Sequence, residues 1–352
     1  MAWDKRYRKA LEKVIVDIRN RAQHSGKKAV FCIGTTMNVG NEEYFFSSLR
    51  EAEHYVCGNM MVSGVNDLPQ IIEIIDGRID EILIDVEKKK AACSRMDAII
   101  GRCVKKSKVS YFRGNLVAAC AFEQIFLAYC AHKGIDFADR RACVVGAGHL
   151  GAKIAQILLE YGMQVDLYDR NQSRARKVTE AITTMAASEC RGKAYPVSTD
   201  TILKEKYLLI AGVTNGIPAV TVQMVERLEN DGFLIDAGLK TVTEEAMSKA
   251  HKVAKPVFCL VATPGFNGMM LSHFEADKII SSLGRRAVEG DFSLVSGGMM
   301  GEYGDVIVDD VVVPTKVIGV AKGDGLVLVG QEKDKFHDRV SLVKSRYLKE
   351  KK

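Results

Sequence analysis

Ala142-Cys-Val-Val-Gly-Ala-Gly-His-Leu-Gly151 decides how the rest of the chain is read. An apolar run from Cys143 to Val145 ends at Gly146, and the spacing Gly146-x-Gly148-x-x-Gly151 leads into a helix-like segment over 152–161. That order predicts a strand, a tight turn and a helix N-terminus. Gly146 permits the turn, Gly148 lets backbone approach a diphosphate, and Gly151 lets the helix sit close to the strand. The free N–H groups and dipole of such a helix face the phosphate charge, which puts Gly146, Gly148, His149, Leu150 and Gly151 at a cofactor. A second short strand, 164–168, ends at Asp169. This acid stands 23 residues after Gly146, where a carboxylate holds ribose hydroxyls.

The chain has 352 residues, enough for two domains at about 150 residues each. Hydrophobic residues make up 47% and charged residues 27%, as in ordinary globular proteins. The net charge of +6 favours small anionic ligands. Its Lys and Arg residues are dispersed and aromatics are only 7%, which argues against nucleic acid as a partner. Nine cysteines form no Cys-x-x-Cys pair and no zinc spacing, so no metal is expected and buried reduced thiols are. The charged N-terminus and the lack of an 18-residue apolar run predict a cytoplasmic chain with no membrane partner.

Ahead of the glycine turn, helices are expected over 7–22, 41–54, 68–75 and 96–104, and strands over 29–33, 80–85 and 108–112. Asn41 would cap the second helix. An apolar helix over 115–132 would be buried between elements. Strands are then expected over 142–145, 164–168, 194–197, 208–212, 233–236 and 257–261, with helices over 152–161, 173–188, 222–229 and 244–252. This alternation predicts an α/β fold with a Rossmann doubly wound parallel sheet. The remainder reads as a helix to about 283, a Gly- and Met-rich loop over 288–301, β-hairpins from the runs at 306–308, 311–313, 317–320 and 326–329, and a charged tail with a terminal helix. The expected domains are an N-terminal α/β substrate domain (1–114), a linking helix (115–137), the Rossmann domain (138–270), and a returning helix with a short β-hairpin segment packing on the first domain (271–352).

Several loops follow strand ends, where ligands of such sheets bind. Asp169 would accept bonds from both ribose hydroxyls of NAD and repel the extra phosphate of NADP, while Arg170 and Arg174 could match that phosphate. NAD is therefore expected, with NADP the alternative. Ala211-Gly-Val-Thr-Asn-Gly216 offers Val213, Thr214 and Asn215. Leu234-Ile-Asp-Ala-Gly-Leu239 offers Asp236 and Gly238. Thr263-Pro-Gly-Phe-Asn-Gly-Met-Met-Leu271 contains Pro264, which fixes one dihedral, and Gly265, which frees the next, so that the loop can pass beside a nicotinamide.

Taken together, Gly146-Ala-Gly-His-Leu-Gly151, Asp169-Arg170 before a helix, and the three loops just quoted resemble the dinucleotide domain of the amino-acid-dehydrogenase-like group. That group includes shikimate dehydrogenase, glutamyl-tRNA reductase and methylene-tetrahydrofolate dehydrogenase. Asp169-Arg170-x-x-x-Arg174-Ala175 is similar to the Asn-Arg-Thr-x-x-Arg-Ala stretch of shikimate dehydrogenases, with Asp in place of Asn. The loops at 234–239 and 263–270 are similar to those of the folate dehydrogenases. The resemblance covers about 142–271. Neither the catalytic Lys and Asp of shikimate dehydrogenases nor the Tyr-x-x-x-Lys of the folate enzymes maps onto the first segment, and the C-terminal β segment departs from the group.

In such an architecture the reaction lies between domains. Thr35, Thr36 and Asn38 follow the first strand. Arg113 could clamp a substrate carboxylate, and Asn115 could cap the linking helix while bonding substrate. Lys108 or Tyr111 could move a proton alongside a hydride. Lys240 and His273 are weaker candidates, and Glu302, Asp305, Asp309 and Asp310 read as hairpin turns. The expected function is an NAD(P)-dependent dehydrogenase or reductase of a small anionic metabolite, such as an amino or hydroxy acid, acting as a homodimer. An NAD(P)-binding sensor without turnover, or a non-redox enzyme that keeps NAD bound, are the rivals.

Overall fold

The computed structural model describes residues 5–35, 44–87 and 91–348. The chain divides into two compact units, residues 1–267 and 268–352. Helix α1 (Lys5–Ser25) buries Leu11, Ile15, Ile18 and Ala22 at helical spacing. After it come β1 (Lys28–Thr35), β2 (Tyr44–Glu51), β3 (Tyr55–Val62), α2 (Leu68–Ile75), β4 (Glu81–Asp85), α3 (Met96–Cys103), β5 (Lys108–Phe112) and α4 (Gly114–Lys133). The sheet order is β2-β3-β1-β4-β5, parallel except for antiparallel β2. Alternate residues Phe31 and Ile33 of β1, Met60 and Val62 of β3, and Ile82 and Ile84 of β4 share one core with α1, α2 and α3. Each such buried side chain contributes roughly 1.5–3 kcal/mol.

One expectation fails here. The segment expected as a helix over 41–54 is strand β2 over its described part, running into β3. Tyr44-Phe-Phe46 supplies β-favouring aromatics, and pairing with Met60 to Val62 overrides the helix signal in the preceding acids. Asn41, Thr36, Asn38 and the start of that segment lie outside the described residues.

The second sheet follows the glycine turn: β6 (Arg141–Val145), α5 (His149–Glu160), β7 (Gln164–Tyr168), α6 (Gln172–Met185), β8 (Lys193–Pro196), α7 (Thr199–Ile202), β9 (Tyr207–Gly212), α8 (Val222–Val225), β10 (Leu228–Asp236), α9 (Glu244–Lys252) and β11 (Val257–Cys259). Its six strands are all parallel, in the order β11-β10-β9-β6-β7-β8. Numbered from β6 this is the 3-2-1-4-5-6 order of the Rossmann fold. One face packs on α4, α5 and α6, the other on α7, α8 and α9. The expected helix over 222–229 stops at Val225, because Leu228 already pairs with Tyr207. By length and composition α4 could cross a membrane. One face of it packs in the core, with Phe122 and Phe126 fully buried and Phe126 stacked on Phe233. It ends at Gly134, whose φ of 64° closes the last turn.

Helix α10 (Thr263–Ser282) leads into β12 (Arg285–Ala287), β13 (Ser293–Ser296), β14 (Val306–Val308), β15 (Val317–Val320), α11 (Gly330–Asp334) and α12 (His337–Arg346). The expected loop over 288–301 contains β13, which pairs parallel to β14, while β14 and β15 form an expected antiparallel hairpin and Ala321 bridges Val327 antiparallel. Residues 311–313 and 326–329 are not strands. Asp310 takes the N–H groups of Val312 and Val313, and Asp309 takes those of Thr315 and Lys316. Those donors are turned from a ladder to a local carboxylate. Asp305, buried, accepts from the N–H groups of Ser293 and Glu302 and pairs with Arg285. Asp309 and Asp310 therefore lie in a hairpin connection, between β14 and β15, whereas Glu302 and Asp305 lie in the connection between the parallel strands β13 and β14.

Candidate functional site

Strands β6 and β9 are neighbours from which the chain winds in opposite directions, so a crevice opens at their carboxyl ends. The glycine turn sits there. Gly146 has a φ of 122°, which side chains rarely adopt, and its N–H donates to Tyr168 O at 2.7 Å. A Cβ at Gly151 would stand 1.8 Å from Gly146 O, so only glycine lets α5 approach β6 this closely. Gly148 is the N-cap of α5 and exposed, and a Cβ there would meet nothing within 4 Å. His149 is exposed and Leu150 half-buried in the first turn. The first N–H groups of a twelve-residue helix thus face an open position, the arrangement that binds a diphosphate.

Asp169 stands beside this turn with 9% of its surface exposed. Its Oδ2 accepts the N–H of Ala147 at 2.9 Å, and its Oδ1 accepts that of Asn171 at 2.8 Å. An ionised carboxylate offers about four acceptor positions, so two remain for sugar hydroxyls. Arg174 lies 4.0 Å from Asp169 and is exposed, as is Arg170. A groove of about 350 Å³ beside them is lined by Asn171, Ser173, Arg174 and Lys177.

On the other side of the crevice, Val213 is buried and its N–H donates to Val145 O. The Thr214 hydroxyl donates to Ile217 O and braces its own loop. Asp236 is engaged by the loop that follows it. Its carboxylate accepts the Thr241 hydroxyl at 2.7 Å and the Thr241 N–H at 3.2 Å. This grip holds a strained loop in which Leu239 and Lys240 both have positive φ, 60° and 56°. A Cβ at Gly238 would stand 2.0 Å from Thr214 O, so this glycine serves packing. Pro264 and Gly265 require a correction. They lie in the first turn of α10 and not in a loop. Proline suits that turn, where its missing N–H has no partner to lose. A Cβ at Gly265 would stand 2.1 Å from Val117 O, so this glycine lets α10 touch α4.

The carboxyl edge of the first sheet carries Thr35, Asp85 and the 111–115 segment. Asp85 is buried, and its Oδ1 accepts the N–H groups of Gly114 at 3.1 Å and Glu87 at 3.0 Å. Glu87 accepts the N–H of Asn115. The cap of α4 is therefore these two carboxylates. Asn115, expected as the cap, lies one residue inside the helix and gives its N–H to one of them. Arg113 is the N-cap residue by position, is exposed, and makes no ion pair among the described residues. Tyr111 is 57% exposed. Lys108 is displaced from this group. It opens β5 at the amino end, opposite Glu81, with its Nζ 3.7 Å from Glu81 Oε1. Strand polarity puts it a strand's length from the carboxyl edge. His273 pairs with Asp277 along α10, 3.6 Å apart.

Residues 141–214 match the family described as 3-hydroxyacyl-CoA dehydrogenase, NAD binding domain. The chain carries a Rossmann NAD(P)-binding domain of the dehydrogenase type. No curated protein sequence matches the chain. Among solved structures, a dipicolinate synthase chain from Bacillus halodurans shows 12% identity and a TM-score of 0.36, covering 68% of this chain and 91% of its own. Shikimate 5-dehydrogenase from Listeria monocytogenes, in complex with shikimate and NAD, shows 11% and 0.39, covering 67% and 87%. L-tryptophan dehydrogenase from Nostoc punctiforme shows 11% and 0.41, covering 65% and 69%. The glycine turn and Asp169 fit a dinucleotide. The NAD-binding domain would hold the diphosphate on the 148–151 amides and the sugar on Asp169. Sequence reasoning missed Asp85 and Glu87. Their signal was present: a strand ending in an acid at a carboxyl edge, the pattern already noted for Asp169 and Asp236.

Proposed function

We propose that this protein is an NAD-preferring dehydrogenase or reductase of a small anionic metabolite of the amino-acid or hydroxy-acid class. The observation that carries the reading is the open N-terminus of α5, bounded by Gly146, Gly151 and the Asp169 carboxylate. When bound, the nicotinamide supplies hydride acceptance or donation. Arg113, exposed at the carboxyl edge of the first sheet, is the residue for a substrate carboxylate, since its fork matches two oxygens. Tyr111, exposed two residues before it, is the candidate for proton transfer. Asp169 favours NAD because a second anion beside its carboxylate is repelled, whereas Arg170 and Arg174 would soften that penalty for NADP.

Calorimetry with NAD and NADP, followed by absorbance screens at the reduced-nicotinamide band across amino and hydroxy acids, tests this. Binding of NAD with turnover of an anionic substrate that Arg113→Ala weakens mainly through KM supports it. Tight NAD binding with no turnover across the panel replaces it with the sensor reading. Absence of dinucleotide binding removes both.

A further inference from the structure

We propose that Ser47, Arg50 and Asn59, on one face of strands β2 and β3, bind the carboxylate of a small organic acid. The core with α1, α2 and α3 takes Tyr44, Phe46 and Leu49 from β2, and Val56, Met60 and Val62 from β3. Strand alternation sends the residues between them to the opposite face. Ser47 and Arg50 are three residues apart, so a regular strand would point them opposite ways. The register shifts between them: Ser47 stands opposite Asn59, and Arg50 opposite Cys57. Three residues of β2 thus match two of β3, and one extra residue puts both side chains on the face away from the core. A bulge of this kind re-aims a side chain and is common beside functional sites. Opposite and diagonal cross-strand pairs lie within about 8 Å, so the three polar groups share one patch.

All three residues are half-buried. The Arg50 guanidinium stands 5.0 Å from the centre of the Phe266 ring, which holds it from one side. It makes no ion pair or hydrogen bond among the described residues, and neither does the Asn59 amide. The Ser47 hydroxyl oxygen is buried without a partner. Alternation places Lys28, Glu81, Asp85 and Lys108 on the same face as well. Glu81 is three strands from Arg50, about 14 Å, and lies 3.7 Å from Lys108. Asp85 accepts the N–H groups of Gly114 and Glu87. Burial raises the Cys32 thiol and the Tyr55 phenol above their ordinary values, so neither supplies a counter-charge at neutral pH. A half-buried cation with donors to spare calls for an anion. One guanidinium fork matches the two oxygens and the single charge of a carboxylate, whereas a phosphate would keep much of its second charge unmatched.

Calorimetry of the full chain with acetate, lactate, succinate and glutamate tests this, with methyl lactate as the uncharged control and inorganic phosphate as the rival anion. The expected result is binding of at least one of these acids and none of methyl lactate. Arg50→Gln should weaken that acid at least about tenfold, and Arg50→Lys, which keeps the charge and loses the fork, less. Asn59→Ala should weaken it about threefold. Unchanged melting temperature and NAD affinity will show that the variants fold. Binding of none of these acids, equal binding of methyl lactate, tighter binding of phosphate, or full affinity in Arg50→Gln overturns the proposal. Loss in Arg113→Ala but not in Arg50→Gln also overturns it, and leaves the dehydrogenase reading standing.

Discussion

Helices α4 and α5 both start at the carboxyl edge of a parallel sheet, yet their N-termini have opposite fates. At α4 the protein's own carboxylates, Asp85 and Glu87, take the first N–H groups. At α5 no side chain among the described residues takes them: the cap is Gly148, with open space where a side chain would be. The positive end of a helix attracts any nearby anion. A strand that ends in an acid one turn away satisfies it internally, whereas a strand that ends in glycine leaves it for a ligand. The difference explains why the second sheet, and not the first, is the dinucleotide side of this molecule.

The largest expected effect comes from making α5 resemble α4. Gly148→Asp would put a carboxylate at that terminus without backbone strain, since φ is −78°. Dinucleotide affinity should fall about a hundredfold or more, roughly 2.7 kcal/mol, by calorimetry. Retained affinity would break the comparison. The reverse change removes the acid from α4. Asp85→Ala leaves two N–H groups without their carboxylate and should cost about 1–3 kcal/mol in denaturant titration, with NAD affinity unchanged. A loss of NAD affinity without a loss of stability would assign Asp85 to the cofactor instead.

Gly265→Ala should cost a similar amount, about 1–3 kcal/mol, because its methyl meets Val117 O on α4. A neutral result would mean α10 shifts freely. Asp169→Asn should weaken NAD about tenfold, roughly 1.4 kcal/mol, and NADP less, so the ratio of the two affinities is the number to measure. An unchanged ratio would show that this carboxylate only braces the glycine turn through Ala147.

The smallest effect is one of pH and belongs to neither helix. Hydrogen bonding to Arg140 holds the Asp231 carboxyl below its ordinary value of 3.8. A lowered folded value means stability that is complete above 3.8 and lost as the pH falls through the lowered value. Melting temperatures from pH 7 to 3 should decline less steeply in Asp231→Asn than in the wild type. Parallel curves would show that other carboxylates dominate.

Much of the second sheet was legible beforehand. Gln164–Tyr168 and Glu244–Lys252 fall where periodicity places them. Buried parallel strands are continuous apolar runs and cannot be mistaken for solvated ones. The first sheet was less legible. Acids at 42 and 43 suggested a helix start, but Tyr44–Glu51 finds its partner in β3, and pairing between strands outweighs local propensity. In the C-terminal unit, aspartates that looked like simple turn markers also withdrew the donors of 312 and 313 from any ladder. The donors that a carboxylate finds, the N–H of Ala147 at Asp169, the Thr241 hydroxyl at Asp236 and the N–H of Gly114 at Asp85, left no trace in the residue type.

The residues in order fix that Gly146 and Gly151 frame a turn into a helix, because no other residue has the backbone freedom that the first position demands or the lack of volume that the second demands. Folding decides everything that depends on distant partners. It made Gly265 a helix contact and spent Asp85 and Glu87 on α4. Sterics act between chain neighbours and are written locally; a hydrogen bond or a close approach across about thirty residues or more exists only once the chain has packed.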